Sequence, residues 1–141
     1  MHVQIRSAER QHIPALLELW RSAGTPAGVS DSEQGLRQLL EGDAQALLVA
    51  ESGGVVIGSL IAAWDGWRGN LYRLAVLPEH RRRGVARALL AEGERRLLAR
   101  GALRLSAIVD GEDAGALELW RSAGYERQPQ QVRLVKHAPS R

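Results

Sequence analysis

Three arginines, a glycine and a small residue follow one another at positions 81–86, ahead of a long amphipathic segment. The first turn of a helix has backbone N–H groups without partners and carries partial positive charge, so a helix that begins here would present donors to an anion. Gly84 lets a ligand approach the backbone without meeting a Cβ, and Ala86 keeps the first turn open. The guanidinium groups around them suit phosphate. The stretch therefore predicts a binding site for a diphosphate.

Two better-known phosphate motifs do not fit this stretch. It lacks the GK[ST] ending of a P-loop, and one glycine in the turn is too few for the dinucleotide fingerprint GxGxxG. The alternative interpretation is a solvated basic turn before an ordinary helix. The preceding strand, the spacing of Gly84 and Ala86 and the long helix that follows favour the anion site.

A strand and a helix must position this turn. Residues 71–77, LYRLAVL, predict a strand, and residues 85–100 predict a helix that Gly101 ends in the left-handed conformation. Six residues of this helix are predicted to anchor it to the core: Val85, Leu89, Leu90, Gly93, Leu97 and Leu98. Glu94, Arg95 and Arg100 are expected to face water.

The rest of the chain predicts an α/β fold of mixed α+β type. Strands are expected at 2–6, 46–51, 55–64, 71–77, 103–109, 125–127 and 132–135. Helices are expected from Ser7 as cap to position 23, from Asp31 or Ser32 to about 41, at 85–100 and from about Asp113 to 124. Gly53 and Gly54 predict a hairpin turn. This order indicates a single mixed, mostly antiparallel central sheet flanked by about four helices.

The octapeptide LELWRSAG occurs twice, one hundred positions apart, and each copy ends a predicted helix. Trp20 and Trp120 lie three residues after a leucine on one helical stripe, and a glycine stops each helix. The flanking sequences share nothing. We therefore interpret the copies as two helix ends of similar sequence rather than as a duplicated module. Only the second copy is expected to lie near the catalytic site.

Composition narrows the class of protein. A chain of 141 residues suits one domain, 1–141, with a frayed tail at about 136–141. Cysteine is absent, which excludes disulfides, thiolate zinc sites and any mechanism that parks a group on a cysteine nucleophile, and it fits a reducing compartment. Eighteen arginines stand against one lysine, which genome composition or phosphate binding could explain. No apolar run approaches the ~20 residues of a membrane span, and no leader is visible, so a cytoplasmic protein is expected.

The arginine turn resembles the acyl-CoA-binding signature of the GNAT superfamily of N-acetyltransferases. Its pattern of Gln or Arg, two residues, Gly, one residue, then Gly or Ala matches Arg81, Gly84 and Ala86. The segment ALELWRSAGY is similar to the later GNAT helix-and-strand signature, and the element order also agrees. The loop WDGWRG ahead of the signature is similar to that of small bacterial members whose substrates are generally unassigned. The resemblance implies a sheet with a splayed central strand pair.

The resemblance also implies how acetyl-CoA binds as co-substrate. Backbone N–H groups of residues 82–86 would hold the pyrophosphate, and the strand at 74–76 would pair with the pantetheine arm. The N–H of Val76 would stabilise the oxyanion while a neutral amine attacks directly in a ternary complex. The cofactor-binding residues so implied are Leu74, Ala75, Val76, Arg81, Arg82, Arg83, Gly84, Val85, Ala86, Arg87 and Asp113.

Three positions depart from the family pattern. Trp120 stands where many relatives place a tyrosine acid, and an indole does not titrate usefully. Asn70 stands where some relatives place a glutamate base. Asp113 replaces an Asn that often contacts the cofactor, and a carboxylate there would repel phosphate. The coenzyme A thiolate resembles a cysteine thiolate, with a pKa near 8.5, so it can leave near neutral pH. Tyr125, Tyr72 or water could supply its proton, or no acid need be positioned. Tyr125 is therefore a candidate catalytic residue, and the alternative interpretation is that it packs in the core.

The expected base and substrate site is the loop at 64–68. Asp65 between Trp64 and Trp67 suits an ammonium ion by charge pairing and cation–π attraction, and burial would raise its pKa. The alternative is an Asp-Gly turn with tryptophans packed on the sheet. Arg68 would bind a substrate carboxylate or face solvent. Glu79 is the second base candidate, although it is better placed to orient the phosphate loop. The histidines show no metal spacing, so no metal is expected.

The predicted function is acetyl-CoA-dependent N-acetyl transfer to a primary amine of a small molecule, peptide or protein. A catalytically silent CoA-binding or regulatory module is the alternative, because of Trp120 and Asn70. A basic nucleic-acid-binding domain is less favoured, since the arginines bunch at one glycine turn and phenylalanine is absent. Neither nucleic acid nor membrane is expected as a partner. The sequence does not fix the amine, the acyl chain or the oligomeric state, for which a homodimer is one option.

Overall fold

The computed structural model describes residues 2–24, 28 and 30–139. Part of the predicted loop after the first helix and the last two residues of the predicted frayed tail lie outside the described residues. The chain divides into two compact units, Met1–Ile108 and Val109–Arg141, which are described separately. That the whole chain forms one functional domain stays a prediction.

The first unit contains five strands and three α-helices among its described residues. Its strands are β1 (Gln4–Ser7), β2 (Leu47–Ser52), β3 (Val55–Trp64), β4 (Gly69–Val76) and β5 (Leu105–Ala107). Its helices are α1 (Ile13–Ser22), α2 (Glu33–Gly42) and α3 (Val85–Ala99), with short 3-10 turns at Arg10–His12 and Pro78–His80.

One five-stranded sheet joins these strands in the order β1-β2-β3-β4-β5. The first three pairings are antiparallel, and β4 pairs with β5 in parallel. Gly53 and Gly54, both with positive φ, form the turn between β2 and β3, as the sequence predicts. With one further helix in the second unit, at Ala114–Ser122, the described residues contain four α-helices. The predicted fold class, a mixed and mostly antiparallel sheet with about four helices, is confirmed.

The two faces of the sheet are covered by different helices. Trp20 of α1, Leu36 of α2 and Val49 of β2 belong to one buried cluster. Alternate residues of β3 face the other side, where a Cβ added at Gly93 of α3 would come within 2.6 Å of Leu60. Glycine at this position therefore lets α3 approach the sheet closely, and α3 is the helix that follows the arginine turn.

Strand β4 loses its β5 partner halfway along. The parallel pairing covers only Gly69–Leu71 opposite Leu105–Ala107. Beyond this point no strand of the described residues pairs with that side of β4. The predicted splay of the central strands is therefore confirmed, and it leaves the backbone of residues 72–76 with a free edge.

A β-bulge lies on β4 immediately after the splay begins. On β3, Ser59 is opposite Ala75 and Ile61 is opposite Tyr72, so Leu60 faces two residues of β4. One of the two, Arg73, has a φ of 56°, in the left-handed region that arginine rarely adopts. The bulge shifts the alternation of the strand by one residue, so it decides which backbone groups face the free edge.

The second unit contains one helix, α4 (Ala114–Ser122), and an extended segment. Asp113 caps α4, its side chain accepting a hydrogen bond of 3.0 Å from the N–H of Ala116. The ring of Trp120 meets the ring of Tyr125 edge-on, with centroids 4.9 Å apart. Asp113 therefore begins the helix as the sequence predicts.

Two sequence predictions about apolar residues are wrong. The strands expected at 125–127 and 132–135 do not form: the described residues 125–139 contain no regular structure, and Val132 and Leu134 are 81% and 89% exposed. Leu98, expected to anchor α3, is 57% exposed, because it lies one position beyond the buried stripe that ends at Leu97. None of the helices in the described residues is long and apolar enough to cross a membrane.

Candidate functional site

The arginine turn adopts the backbone that its glycine predicts. Gly84, the N-cap of α3, has a φ of 82° and a ψ of 6°, and Arg82 has a φ of 62°. Left-handed residues in a tight turn point successive N–H groups to one side, a geometry that binds anions. A Cβ added at Gly84 would have no atom within 4 Å, so the space beside the turn is open.

The start of α3 has no side-chain cap. Ser32 caps α2 and Asp113 caps α4, each by accepting a hydrogen bond from the helix backbone. Among the described residues no side chain does this for α3, and its first turn contains no acidic residue. The first N–H groups of α3 are therefore left for another acceptor, and nearby cations raise the local positive potential.

Arg81 performs a task that the sequence does not reveal. Its Nε donates a hydrogen bond of 3.1 Å to the carbonyl oxygen of Val76, the last residue of β4. The sequence predicts a phosphate ligand at Arg81. The contact adds a mechanical role, because the side chain ties the arginine turn to the end of the strand.

The backbone of Val76 faces the free edge of β4. Leu77 donates from its N–H to the carbonyl oxygen of Ile57 on β3, at 2.9 Å. Residues of an antiparallel pair alternate between facing the partner and facing away, so the N–H and C=O of Val76 point away from β3. The Arg81 contact to the Val76 carbonyl oxygen agrees with this direction. The N–H of Val76 thus lies on the free edge, a few residues before the arginine turn.

Both features fit coenzyme A. An open cradle of N–H groups with surrounding guanidinium groups suits a pyrophosphate, and the free edge of residues 72–76 suits a peptide-like arm that pairs as a strand does. The cradle and the edge are formed by residues that the family resemblance implies for acetyl-CoA. The carboxylate of Asp113, by contrast, accepts the capping hydrogen bond of α4.

A buried chain of hydrogen bonds holds the bulge, and the sequence analysis missed it. The indole N–H of Trp20 donates to Ser59 Oγ at 2.8 Å, and Ser59 Oγ donates to the carbonyl oxygen of Arg73 at 2.8 Å. Ser59 is fully buried. A serine inside the apolar run IGSLIAA was the available signal, since a buried hydroxyl needs partners. The first LELWRSAG copy is thus near the site, contrary to the sequence interpretation.

An ion pair fixes the side chain of Arg73. Its Nε donates to Asp31 Oδ1 at 3.1 Å and its Nη2 donates to Asp31 Oδ2. The side chains of Arg73 and Asp31 are only 16% and 12% exposed. Burial lowers the pKa of Arg73, which stays protonated at neutral pH. The guanidinium also lies 5.2 Å from the centre of the Trp20 ring.

The loop at 65–68 is organised by Asp65. Its carboxylate accepts hydrogen bonds from the N–H groups of Trp67 and Arg68, at 2.8 and 2.6 Å, and from Asn70 Nδ2 at 3.3 Å. The hydrogen bond from Arg68, followed by those from Trp67 and Asn70, lowers the pKa of Asp65. A lowered pKa opposes a role as base, so these contacts favour the Asp-Gly turn.

Strand β4 also separates Asp65 from Val76. Asp65 lies in the loop before Gly69, the first residue of β4, and Val76 is the last residue of the strand. Seven steps of about 3.3 Å place the two ends of β4 roughly 20 Å apart. Asp65 and Val76 therefore lie toward opposite ends of the strand. In the same loop, Trp67 is 67% exposed with the Arg68 guanidinium 3.8 Å from its ring centre, and Trp64 is half-buried. The expected substrate cluster therefore exists as a surface group at the far end of β4.

The remaining candidate residues are Tyr125, as a proton donor, and the histidines, as metal ligands. Tyr125 is half-buried and packs on Trp120. His12 Nδ1 accepts a hydrogen bond from the N–H of Glu9 at 2.9 Å, which commits that nitrogen. His80 Nδ1 is buried and has no hydrogen-bond partner in the described part of the chain. Within that part, no group of three or more His, Asp or Glu side chains could hold a metal ion.

Sequence comparison finds one family and named relatives. The profile of the Acetyltransferase (GNAT) family matches residues 13–125. Acetyltransferase SG1711 of Sodalis glossinidius (strain morsitans) is 31% identical over 134 residues, which cover 95% of this chain and 94% of that relative.

Structure comparison finds the same fold in distant proteins. PaiA N-acetyltransferase from Thermoplasma acidophilum, solved in complex with coenzyme A, superposes with a TM-score of 0.79 at 18% identity, covering 91% of this chain and 92% of that one. The ribosomal-protein-S18-alanine N-acetyltransferase of Escherichia coli gives a TM-score of 0.71 at 24% identity, covering 87% and 77%.

Proposed function

Because the chain belongs to the Acetyltransferase (GNAT) family, we propose that it transfers an acetyl group from acetyl-CoA to a primary amine of a small molecule, peptide or protein. Family membership confirms the resemblance of the sequence motifs and makes the protein an acyltransferase. The finer proposal, direct attack by the amine in a ternary complex, is supported by the absence of cysteine, which leaves no thiol to carry the acetyl group.

The pyrophosphate is assigned to the N–H groups of residues 82–86, with Arg81, Arg82, Arg83 and Arg87 around it. The observation that carries this assignment is the start of α3: a left-handed Gly84, open space where its Cβ would be and no side-chain cap in the described residues. An anion would complete the helix at this point.

The reacting end is assigned to the free edge of β4. Leu74, Ala75 and Val76 would pair with the pantetheine arm. Acetyl-CoA supplies an activated acetyl group as a thioester. The N–H of Val76, which points to the free edge, would donate to the acyl oxygen as negative charge develops on it. Arg81 holds the carbonyl oxygen of the same residue, which belongs to the next peptide group, and so helps to fix the backbone of Val76.

Proton transfer is assigned without Asp65, because that carboxylate is engaged in its own turn. A thiolate with a pKa near 8.5 can leave near neutral pH without a positioned acid. Tyr125 and Tyr72 are the only two phenols of the chain, and Tyr125 stays the first candidate to return a proton. Water would accept the proton of the attacking amine.

The family match also bears on the extent of the domain and on the two alternative functions. The family match at 13–125 spans both compact units, which supports one functional domain from 1 to 141. It also disfavours a silent CoA-binding module and a nucleic-acid-binding domain, since the matched relative is itself named an acetyltransferase.

The test measures coenzyme A binding and turnover separately. Purified protein is titrated with coenzyme A by calorimetry and then incubated with acetyl-CoA and a panel containing a diamine, an amino sugar, an amino acid amide and a short peptide. We expect binding and amine-dependent thiol release. Binding without release from any amine would indicate the silent module. No binding, together with salt-dependent DNA binding, would overturn the proposal.

A further inference from the structure

The left-handed conformation of Arg73 needs support from outside β4. An arginine at a φ of 56° is strained, because its Cβ crowds the following carbonyl oxygen. In a regular strand the residue would relax to an extended conformation. Something in the surrounding structure must therefore stabilise the bulge.

Support for the backbone comes from α1 and β3. Ser59 Oγ donates to the Arg73 carbonyl oxygen, and its lone pairs accept the Trp20 indole N–H, so the buried hydroxyl links the helix to the bulge. Both distances are 2.8 Å. Removal of either partner would leave a buried polar group without a hydrogen bond.

Support for the side chain comes from the connection between α1 and α2. Asp31 receives two hydrogen bonds from Arg73, and its Oδ2 also accepts the N–H of Gly28 at 2.6 Å. The Arg73 guanidinium therefore lies between this carboxylate and the Trp20 ring. Backbone and side chain of the same residue are thus held by different segments.

The bulge controls the direction of the Val76 N–H. Because one extra residue is inserted, Ala75 rather than Leu74 lies opposite Ser59, and the N–H of Val76 points to the free edge. Without the bulge the alternation would shift by one residue, and the Val76 N–H would turn toward β3. The proposed donor to the acyl oxygen exists only while Arg73 keeps its conformation.

We propose that Trp20, Ser59 and Asp31 are positioning residues for acetyl transfer, which hold Arg73 in the bulge and thereby aim the Val76 N–H at the acyl oxygen. This inference rests on the proposed function. None of the three residues is assigned a contact with acetyl-CoA. The pyrophosphate cradle at 82–86 is a separate part of the chain, so loss of the positioning contacts should slow the reaction more than it weakens coenzyme A binding.

The experiment compares four variants with the wild type. Ser59→Ala removes the hydroxyl, Ser59→Thr keeps it, and Asp31→Asn weakens the ion pair. The control is Asp43→Asn. Asp43 also receives two hydrogen bonds from one arginine, Arg100, and one from the backbone N–H of Gln45, and none of these partners belongs to β4. For each protein, kcat is measured with acetyl-CoA and the best amine of the panel, and the Kd for coenzyme A by calorimetry.

Expected results separate positioning from folding. Ser59→Ala and Asp31→Asn should lower kcat by about 10- to 100-fold while the coenzyme A Kd changes less than about threefold. Ser59→Thr should recover most of the loss, and Asp43→Asn should keep kcat. Equal losses in Asp31→Asn and Asp43→Asn, or an unchanged kcat in Ser59→Ala, would overturn the inference. A wild type that neither binds coenzyme A nor turns over would remove the proposed function, and the inference with it.

A second measurement, on the wild-type protein, tests the inference even if the variants fail to fold. Trp20→Phe replaces the indole, with its N–H, by a smaller phenyl ring, and it identifies the Trp20 resonance in the ¹⁵N–¹H spectrum of the wild type. Coenzyme A should shift that resonance, because Ser59 connects the indole to the strand that binds the arm, and should leave the Trp67 resonance in place. A Trp20 resonance that does not respond to saturating coenzyme A would contradict the inference.

Discussion

Arg81 Nε lies 3.1 Å from the carbonyl oxygen of Val76, so the first arginine of the triplet holds the end of the strand that carries the proposed oxyanion donor. One side chain thereby connects the two halves of the candidate site, the anion cradle and the free strand edge. This link leads to the first prediction.

Arg81→Ala should lower kcat/KM by about five- to tenfold, because a hydrogen bond of this kind contributes about 1 kcal/mol. Arg81→Lys should not recover the loss, since a lysine cannot reproduce the planar Nε–H donor. Arg95→Ala, which removes an exposed arginine paired with Glu92 on the same helix, is the control. Steady-state kinetics with acetyl-CoA provide the measurement, and equal effects of Arg81→Ala and Arg95→Ala would contradict the assignment.

Gly84→Ala should weaken coenzyme A binding by about tenfold or more, because its methyl group would enter the space assigned to the pyrophosphate. Gly54→Ala is a matched control: φ is 80° at Gly54 and 82° at Gly84, and neither Cβ would meet an atom within 4 Å. Both variants should lose about 1–2 kcal/mol of stability from the left-handed backbone. Calorimetry should separate them, and an unchanged Kd in Gly84→Ala would show that the cradle is misplaced.

Asp65→Asn should keep kcat within about threefold of the wild type, because Asp65 organises a turn before β4 and Val76 ends that strand, whose two ends lie roughly 20 Å apart. An asparagine oxygen can still accept the N–H groups of Trp67 and Arg68. The measurement is the pH dependence of kcat/KM, whose acidic limb should stay in place. A loss of a hundredfold together with that limb would restore Asp65 as the base.

Glu92→Gln should destabilise the protein at neutral pH and not at pH 2. Hydrogen bonds from Arg95, and next from Arg96, lower the pKa of Glu92 from 4.5 to about 2. A lowered carboxyl pKa stabilises the folded state above pH 4.5, and this contribution disappears as the pH falls toward 2. Solvent screening limits it to about 1 kcal/mol. Urea unfolding at several pH values measures the difference in free energy of unfolding between wild type and Glu92→Gln. The control is Glu41→Gln, at an exposed site on α2. A difference between wild type and Glu92→Gln that is independent of pH would contradict the prediction.

Local features of the fold were predictable because their causes are local. Both LELWRSAG copies form helices that end at a glycine with positive φ, Gly24 and Gly124, as the sequence indicates. Ser32 and Asp113 cap helices where the sequence places caps. The arginine turn was found for the same reason, since a strand, a glycine and a helix follow one another without interruption.

The parts that were missed depend on residues far apart in the chain. Arg73 is in the bulge because Ser59 and Asp31, 14 and 42 positions away, hold it there. No residue of LYRLAVL signals a left-handed conformation. The segment at 132–135, VRLV, is mostly apolar but lacks a strand partner among the described residues, and a short apolar segment alone does not form a sheet.

The helix that follows the arginine turn lacks a cap that α2 and α4 both have. A diphosphate bound at that position would supply one, so the melting temperature should climb with coenzyme A concentration. In a growing cell with ample coenzyme A the protein would be protected from proteases, and during starvation the unliganded chains would be degraded first. Its abundance would then follow the metabolic supply of its own co-substrate.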